Sequence, residues 1–493
     1  MFPPVDRRDE RFFLPVDKRD EWLLLPADGT PRALARRLLA VLNRDLPRLK
    51  RIDDYMQGRH DDPYMPLQAD AEYRLLARRA VSNWMPLLVG TPAQALYVDS
   101  FRRGRSAEAG DSEQLPEWRH WQQSRLDARQ AAVHRGALTF GHSFTLTEKT
   151  AAGVRTKGLS ALRTAALYED PANDEVPHVA LTVTRRPHGD LPGVARMWDA
   201  TTEYRVTFKG FTDAASIRVT VVGRHGATEC PVTRFAAAVD LEGRTVGVVE
   251  PMIPLQNRIN QTVFDLLVAQ TYASFKVRTA TGMAPPIRRN SDGEPVLDAN
   301  GQTIPLPINV NAKRFLFAED PDVKFGSLAE TPLGGFIDSI DMSIRHLSAI
   351  SQTPPHHLLG QIANLSAEAL LAAETALSRK IEEFRKGFGE AWERVFRVAA
   401  EMAGDTASAL DYAGEVLWRD MEMKSLAQSA DGLGKLAEAL SIPRRGLWSR
   451  VPGVTATEIR DWEQIREDDD AELQLAQALR RAAPDPELRA EAA

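Results

Sequence analysis

Residues Gly334–Ala403 read GGFIDSIDMSIRHLSAISQTPPHHLLGQIANLSAEALLAAETALSRKIEEFRKGFGEAWERVFRVAAEMA, and the fold turns on how this run divides. Ile337, Ile340, Ile344 and Leu347 have the three-then-four spacing of one helix face. Thr353-Pro354-Pro355 stops that helix near Ile350, because proline lacks an amide hydrogen and pushes the residue before it out of the helical region. Helix resumes at Ser366, an N-cap residue, with Glu368 in the first turn where the helix dipole favours negative charge. The stripe Leu370, Ala373, Leu377, Ile381, Phe384, Phe388, Trp392, Val395 and Ala399 predicts a helix roughly 55 Å long, with Gly387 and Gly389 expected to bend it. Between the two helices lie Ser351–Leu365, about fifteen residues, long for a connection inside a compact domain. That loop carries Gln352, His356, His357, Gln361 and Asn364 but no Lys, Arg or acid. On periodicity alone, the stretch is two helices of a bundle joined by a polar surface loop.

The whole chain has 493 residues, enough for two to four domains with substantial cores. Its 68 acids against 62 bases exclude a polycationic nucleic-acid binder, so a DNA partner would pass through rather than be held. The single Cys230 excludes a disulfide within one chain and reads as a buried apolar side chain in preference to a reactive thiol. The start, MFPPVDRRDERFF, is too charged for a secretory signal, and no run approaches the roughly 20 apolar residues of a membrane span. The expectation is a soluble protein, intracellular while being made.

In chain order, PVDRRDERFFL (Pro4–Leu14) is followed at once by PVDKRDEWLLL (Pro15–Leu25), a tandem repeat too short for a solenoid. It reads either as an arm whose apolar ends dock on a neighbour or as a solvated tail. Pro31–Arg48 is an amphipathic helix, a second runs from Tyr73 to near Pro86, and Leu87–Phe101 reads as helix leading into strand. Trp118–Gly136 is predicted helical and Ala137–Lys149 a strand; His142-Ser143 there reads as a structural pair, not a nucleophile. Leu159–Val249 has β texture, with short runs between Gly, Pro and Asp, so the class is α+β. Pro254 opens a helix with Leu255, Ile259, Val263 and Leu266 on one face and Asn257, Asn260 and Gln261 among the amides on another. Such an amide face suits a channel wall or subunit contact, or simply a half-exposed helix.

Ser274–Pro332 is a small module with turns at Asp292-Gly293 and Asn300-Gly301 and a strand expected at Arg314–Phe317. Its bases include Arg278, Arg288, Arg289, Lys313 and Lys324; solvation is the default role for most of them. After the long helix come a short strand near Asp411–Asp420, a helix over Glu422–Leu440, a capping box at Thr455 and Glu458 opening another helix, and a tail expected to be disordered. No Walker-type phosphate loop, His-Glu-x-x-His or spaced Cys/His set occurs, so no enzyme activity, metal or cofactor is expected.

The run QTPPHHLLGQIANLSAEAL followed by a long helix containing FGEAWERVFRVAA, together with Tyr55, Gly58, Asn83-Trp84 and LLVGTPAQALYVDSFR, resembles the portal proteins of long-tailed bacteriophages over about Asp53–Asp470. The resemblance implies an arm at 1–30, an α+β wing at 31–250, stem helices at 251–275 and 333–350, and a clip at 276–332 between them. It implies further a tunnel loop at 351–365, a bracing wing helix at 366–404, a crown at 405–483 and a tail at 484–493. It implies a closed twelve-fold ring at the capsid vertex of the virion, assembled in the host cytoplasm, through which double-stranded DNA is packaged and ejected. Implied partners are the terminase large subunit, a head–tail adaptor, and the major capsid and scaffold proteins, with no membrane. On this resemblance Gln352, His356, His357, Gln361 and Asn364 would face DNA, Asn257, Asn260 and Gln261 would line the stem, and Arg278, Arg288, Arg289, Lys313 and Lys324 would form the docking surface. Local packing of His356 and His357 is the plain alternative. Another phage structural protein, a scaffold or shell component, and less readily a DNA-processing enzyme, also remain open.

Overall fold

The computed structural model describes residues 28–65, 71–104, 115–273, 278–281, 287–298, 301–304, 324–327, 332–360, 367–419, 426–448, 450–451, 454 and 456–482. The N-terminal repeat, the strand expected at Arg314–Phe317, Ser366, Thr455 and the C-terminal tail lie outside the described residues. The chain runs α1 (Pro31–Met56), α2 (Ala71–Arg79), α3 (Met85–Gln94), β1 (Val98–Arg102), α4 (Pro116–Gln123) and α5 (Leu126–Phe140). Eight strands follow: β2 (His142–Thr150), β3 (Gly153–Leu159), β4 (Thr164–Leu167), β5 (Val179–Arg185), β6 (Gly193–Trp198), β7 (Thr202–Phe208), β8 (Arg218–Arg224) and β9 (Val232–Ala236). Then come α6 (Ile253–Ala273), β10 (Arg278–Thr281), β11 (Lys324–Ser327), α7 (Gly334–Ser351), α8 (Pro355–Leu359), α9 (Ala367–Ala403) and α10 (Thr406–Ala409). The last elements are β12 (Glu415–Trp418), α11 (Leu426–Ala439), α12 (Arg445–Trp448) and α13 (Ala456–Ala482).

Two compact units form: Met1–His60 with Asn83–Gln256 and Ile344–Ala493, and Asp61–Ser82 with Asn257–Ser343. In the larger unit an antiparallel sheet of order β4-β5-β6-β7-β8 buries one face against Leu34, Leu38, Leu39 and Leu42 of α1. Its other face sends Ala166, Ala180 and Trp198 against Phe144, Leu146 and Val232 of the sheet β3-β2-β9. Because both faces are covered, Val179–Val183 is buried continuously where a half-exposed strand would alternate. β1 and β12 pair antiparallel, joining segments more than 300 residues apart in sequence.

Local chemistry sets the boundaries that sequence reading misplaced. α1 continues through Pro47 to Met56 because Leu49, Ile52 and Tyr55 bury beyond the proline, and burial offsets the lost hydrogen bond. The helix expected over Trp118–Gly136 is two, parted at Arg125, whose φ of 55° is left-handed. α5 then runs to Phe140, past the strand start expected at Ala137, until Gly141 at φ 91° ends it as glycine readily does. α9 is uninterrupted over 37 residues; a side chain on Gly389 would come within 3.3 Å of Val416, so that glycine serves close packing.

The core of the larger unit carries two buried polar devices. Trp392 donates from Nε1 to Nε2 of His134 at 2.9 Å. The indole can only donate, so Nε2 must accept and Nδ1 carries the proton given to the Leu96 carbonyl, 3.0 Å away. Burial holds His134 at about 4, and burial with the nearby Arg155 charge does the same for His120. Two residues further along α9, Arg394 is 2% exposed and donates to the carbonyls of Cys230 and Val232 and to Thr233 Oγ1 at 2.8, 3.0 and 2.6 Å. Cys230 is buried with its thiol pushed up to about 12, consistent with an inert apolar role.

Histidines whose folded pKa lies below the unfolded 6.5 contribute stability above that pH and lose it as pH falls towards 4, on the order of 3 kcal/mol each at the acid end. Thermal melting should therefore fall steeply between pH 6.5 and 4, and His134→Gln should flatten part of that slope; an unchanged slope would contradict the buried neutral assignment. Arg394→Met leaves the carbonyls of Cys230 and Val232 without their donors and should cost about 2–4 kcal/mol, read as a lower urea midpoint.

Candidate functional site

The loop after α7 is built by its own sequence. Thr353 N–H donates to the Ser348 carbonyl at 3.1 Å, and Ser348 Oγ returns a hydrogen bond to the Thr353 carbonyl at 2.6 Å, closing the helix end. Gln352 takes the left-handed φ of 55° that this reversal needs. Pro355 starts α8, a single turn that Gly360 closes at φ 65°, and Leu358 is buried.

The short helix brings His356 and His357 onto α9. Nε2 of His356 lies 2.7 Å and Nε2 of His357 2.9 Å from the same oxygen, Oε1 of Glu374. The imidazoles sit 4.5 Å apart, centroid to centroid. Lys380, one and a half turns on, spends its ammonium on the Ser351 carbonyl at 2.8 Å, and burial lowers its pKa. The loop that reads as uncharged thus acquires a carboxylate and an ammonium from the next helix. The sequence does not reveal either, because a contact eighteen residues away in the chain leaves no periodic signal. Gln352 is exposed; Gln361 and Asn364 lie outside the described residues.

The amide row of α6 has in-chain partners. Asn260, expected on a channel wall, is instead 2% exposed, its Oδ1 accepting from Ser82 N–H. Asn257 donates to Asp61 at 3.2 Å, and Gln261 accepts from Tyr64 N–H at 2.6 Å and donates to Asp265 at 3.0 Å. Asn260 and Gln261 thus hold the backbone N–H groups of Ser82 and Tyr64, and Asn257 holds the Asp61 carboxylate, a role that an uncharged helix face supplies at low desolvation cost. In the module between α6 and α7, β10 and β11 pair with Thr281 opposite Lys324 and Arg278 opposite Ser327. Arg288 and Arg289 are exposed on a small meander that turns at Gly293 and Gly301, and Arg289 Nη1 donates to the Gly293 carbonyl at 2.8 Å. Lys313 lies outside the described residues. His142 and Ser143 are structural: they bond Thr245 Oγ1 and the Val133 carbonyl. Among the described residues no helix is long and apolar enough to cross a membrane.

The chain is similar to known proteins over most of its length. The portal protein of Mycobacterium phage L5 is 26% identical over 435 residues, covering 79% of this chain and 84% of that one. The portal protein of Mycobacterium phage D29 is 25% identical over 417 residues, covering 78% and 81%. Among solved structures, a chain of the virion of a native gene transfer agent particle aligns over 82% of this chain and 100% of its own, at 13% identity and a TM-score of 0.39. The family profile described as phage portal protein, SPP1 Gp6-like, matches residues 35–472, which take in the β body, α6, α7, the loop and α9. The chain therefore belongs to the SPP1 Gp6-like family of phage portal proteins.

Proposed function

We propose that copies of this structural, non-enzymatic protein close into a twelve-fold ring at the capsid vertex, with α6 and α7 as the stem and the segment 351–365 at the channel through which double-stranded DNA is packaged and ejected. The observation that carries the ring is α7 itself. Ile337, Met342 and Ile350 are 53, 59 and 60% exposed, and only Ser343, Ile344, Leu347, Ser348 and Ser351 are buried. A helix that turns most of its circumference outward with three large apolar side chains is completed by neighbouring copies, and head-to-tail contacts that close give a ring. Ile337, expected on the helix's inward stripe, belongs to this outward set.

The loop's composition supports passage over capture. Each Lys or Arg contact to phosphate releases counterions and tightens binding, so a channel surface poor in bases lets a polyanion slide. Gln352, His356 and His357, with Gln361 and Asn364, supply exchangeable, sequence-blind hydrogen bonds. Twelve copies at a formal −6 each give roughly −72, a field against nonspecific adhesion. The module carrying Arg278, Arg288, Arg289, Lys313 and Lys324 is the proposed docking surface for the terminase large subunit and then the head–tail adaptor, with the capsid and scaffold proteins around the ring.

Particle mass and top-view electron microscopy of the purified protein should show discrete rings with a central hole; shells, filaments or a lone monomer would overturn the reading. Gln352→Lys with His357→Lys, both at exposed positions, should leave rings intact, slow DNA packaging several-fold and recover with added salt, since each added phosphate contact steepens salt dependence. Unchanged packaging would show that the loop's lack of bases is irrelevant.

A further inference from the structure

We propose that His356, His357 and Glu374 form a binding site for a divalent transition ion of the zinc class, tying α8 to α9. The three ligand atoms lie within 4.8 Å of one another, and both ring nitrogens meet a single carboxylate oxygen at 2.7 and 2.9 Å. Consecutive residues of a helix point about 100° apart, so two adjacent imidazoles converging on one atom are not a by-product of helical geometry. The rotamers bring them together. In the metal-free arrangement each imidazole donates from Nε2 to the same oxygen; on binding, each neutral ring carries its one proton on Nδ1 instead, and the two Nε2 lone pairs and the carboxylate oxygen face the ion.

The distances suit that exchange. Zinc sits about 2.0–2.2 Å from imidazole nitrogen and carboxylate oxygen, which sets ligand atoms roughly 3.3 Å apart around a tetrahedron. The two nitrogen–oxygen separations need open by only about half an ångström, within the reach of side-chain rotation. Two imidazoles and one carboxylate select Zn2+, Co2+, Ni2+ or Cu2+ over Mg2+ and Ca2+, which prefer all-oxygen shells. Side-chain exposures of 11, 35 and 32% leave a route from solvent and room for water at the fourth position. His-His followed by Glu at seventeen and eighteen residues fits no metal motif, so sequence alone predicts no site here.

Such an ion would cross-link the turn before residues 361–366 to the helix after them, so it acts on the loop whatever passes by it. The inference concerns ion binding by the chain alone and stands or falls apart from the ring. Calorimetric titration of the untagged full-length protein with Zn2+ should give one tight site per chain, weakened at least tenfold in His357→Ala and in Glu374→Gln. Co2+ should develop the visible d–d bands of a four-coordinate nitrogen and oxygen site. Cu2+-loaded protein should show nitrogen couplings from two imidazoles in its paramagnetic resonance, a readout that needs no variant. No uptake of Zn2+, equal affinity in folded variants, or couplings from fewer than two imidazoles would overturn the proposal and leave a hydrogen-bonded cluster only.

Discussion

The seating of α9 on the β body is the constraint from which the geometry of the loop follows. Trp392 is fixed by its hydrogen bond to His134, and Arg394 by three oxygens of residues 230–233; Phe388 stacks on the His134 ring at 5.1 Å. These groups are buried, so each imposes an orientation as well as an attraction: an indole or guanidinium turned away from its acceptor would lose a hydrogen bond where water cannot replace it. A helix is stiff along its axis. Glu374, eighteen residues before Trp392, is therefore placed about 27 Å up the rod by chemistry in the core. The position of the carboxylate that meets His356 and His357 is decided far from the loop.

This explains which parts of the molecule were legible in the sequence. Leu377, Phe384, Phe388, Trp392, Val395 and Ala399 bury as the helical stripe requires, and the two prolines end α7 within a residue or two of the expected place. Amphipathic period and proline chemistry are local, so a single sequence carries them. Boundaries that depend on distant packing were misread: α1 passes Pro47 because of what lies beneath Leu49, Ile52 and Tyr55, and α5 outlasts its predicted end. The amides of α6 show the same limit. Composition identifies an uncharged polar face, and the fold commits it to the N–H groups of Tyr64, Ser82 and Trp84, the last donating to buried Gln256 at 3.0 Å, and to the Asp61 carboxylate. A polar side chain's type says that it needs a partner; only the fold says which.

The candidate site was half readable for the same reason. Gln352, His356 and His357 lie in one uncharged segment and can be read directly, whereas Glu374 and Lys380 arrive through tertiary contact. Their arrival changes the electrostatics less than a bare count suggests. Lys380, the base that reaches the loop backbone, caps the Ser351 carbonyl and is half-buried, so its ammonium is committed to the helix end before any phosphate approaches. The surrounding protein thus keeps the segment poor in free positive charge even though a cation lies against it.

Glu374 makes that balance adjustable. With neutral imidazoles the cluster carries the single negative charge of the carboxylate, and a divalent ion bound among the three side chains would turn it to a single positive charge. Repeated around a ring, that reversal would replace a repulsive girdle by an attractive one at the proposed channel, where each new positive charge near phosphate strengthens the hold on DNA. Linkage then requires the converse: if a loaded site binds the polyanion more tightly, the polyanion raises the site's affinity for its ion by the same factor. Ion binding and DNA movement would be two readouts of one coupling, set by a carboxylate that the core of the protein, rather than the loop, holds in place.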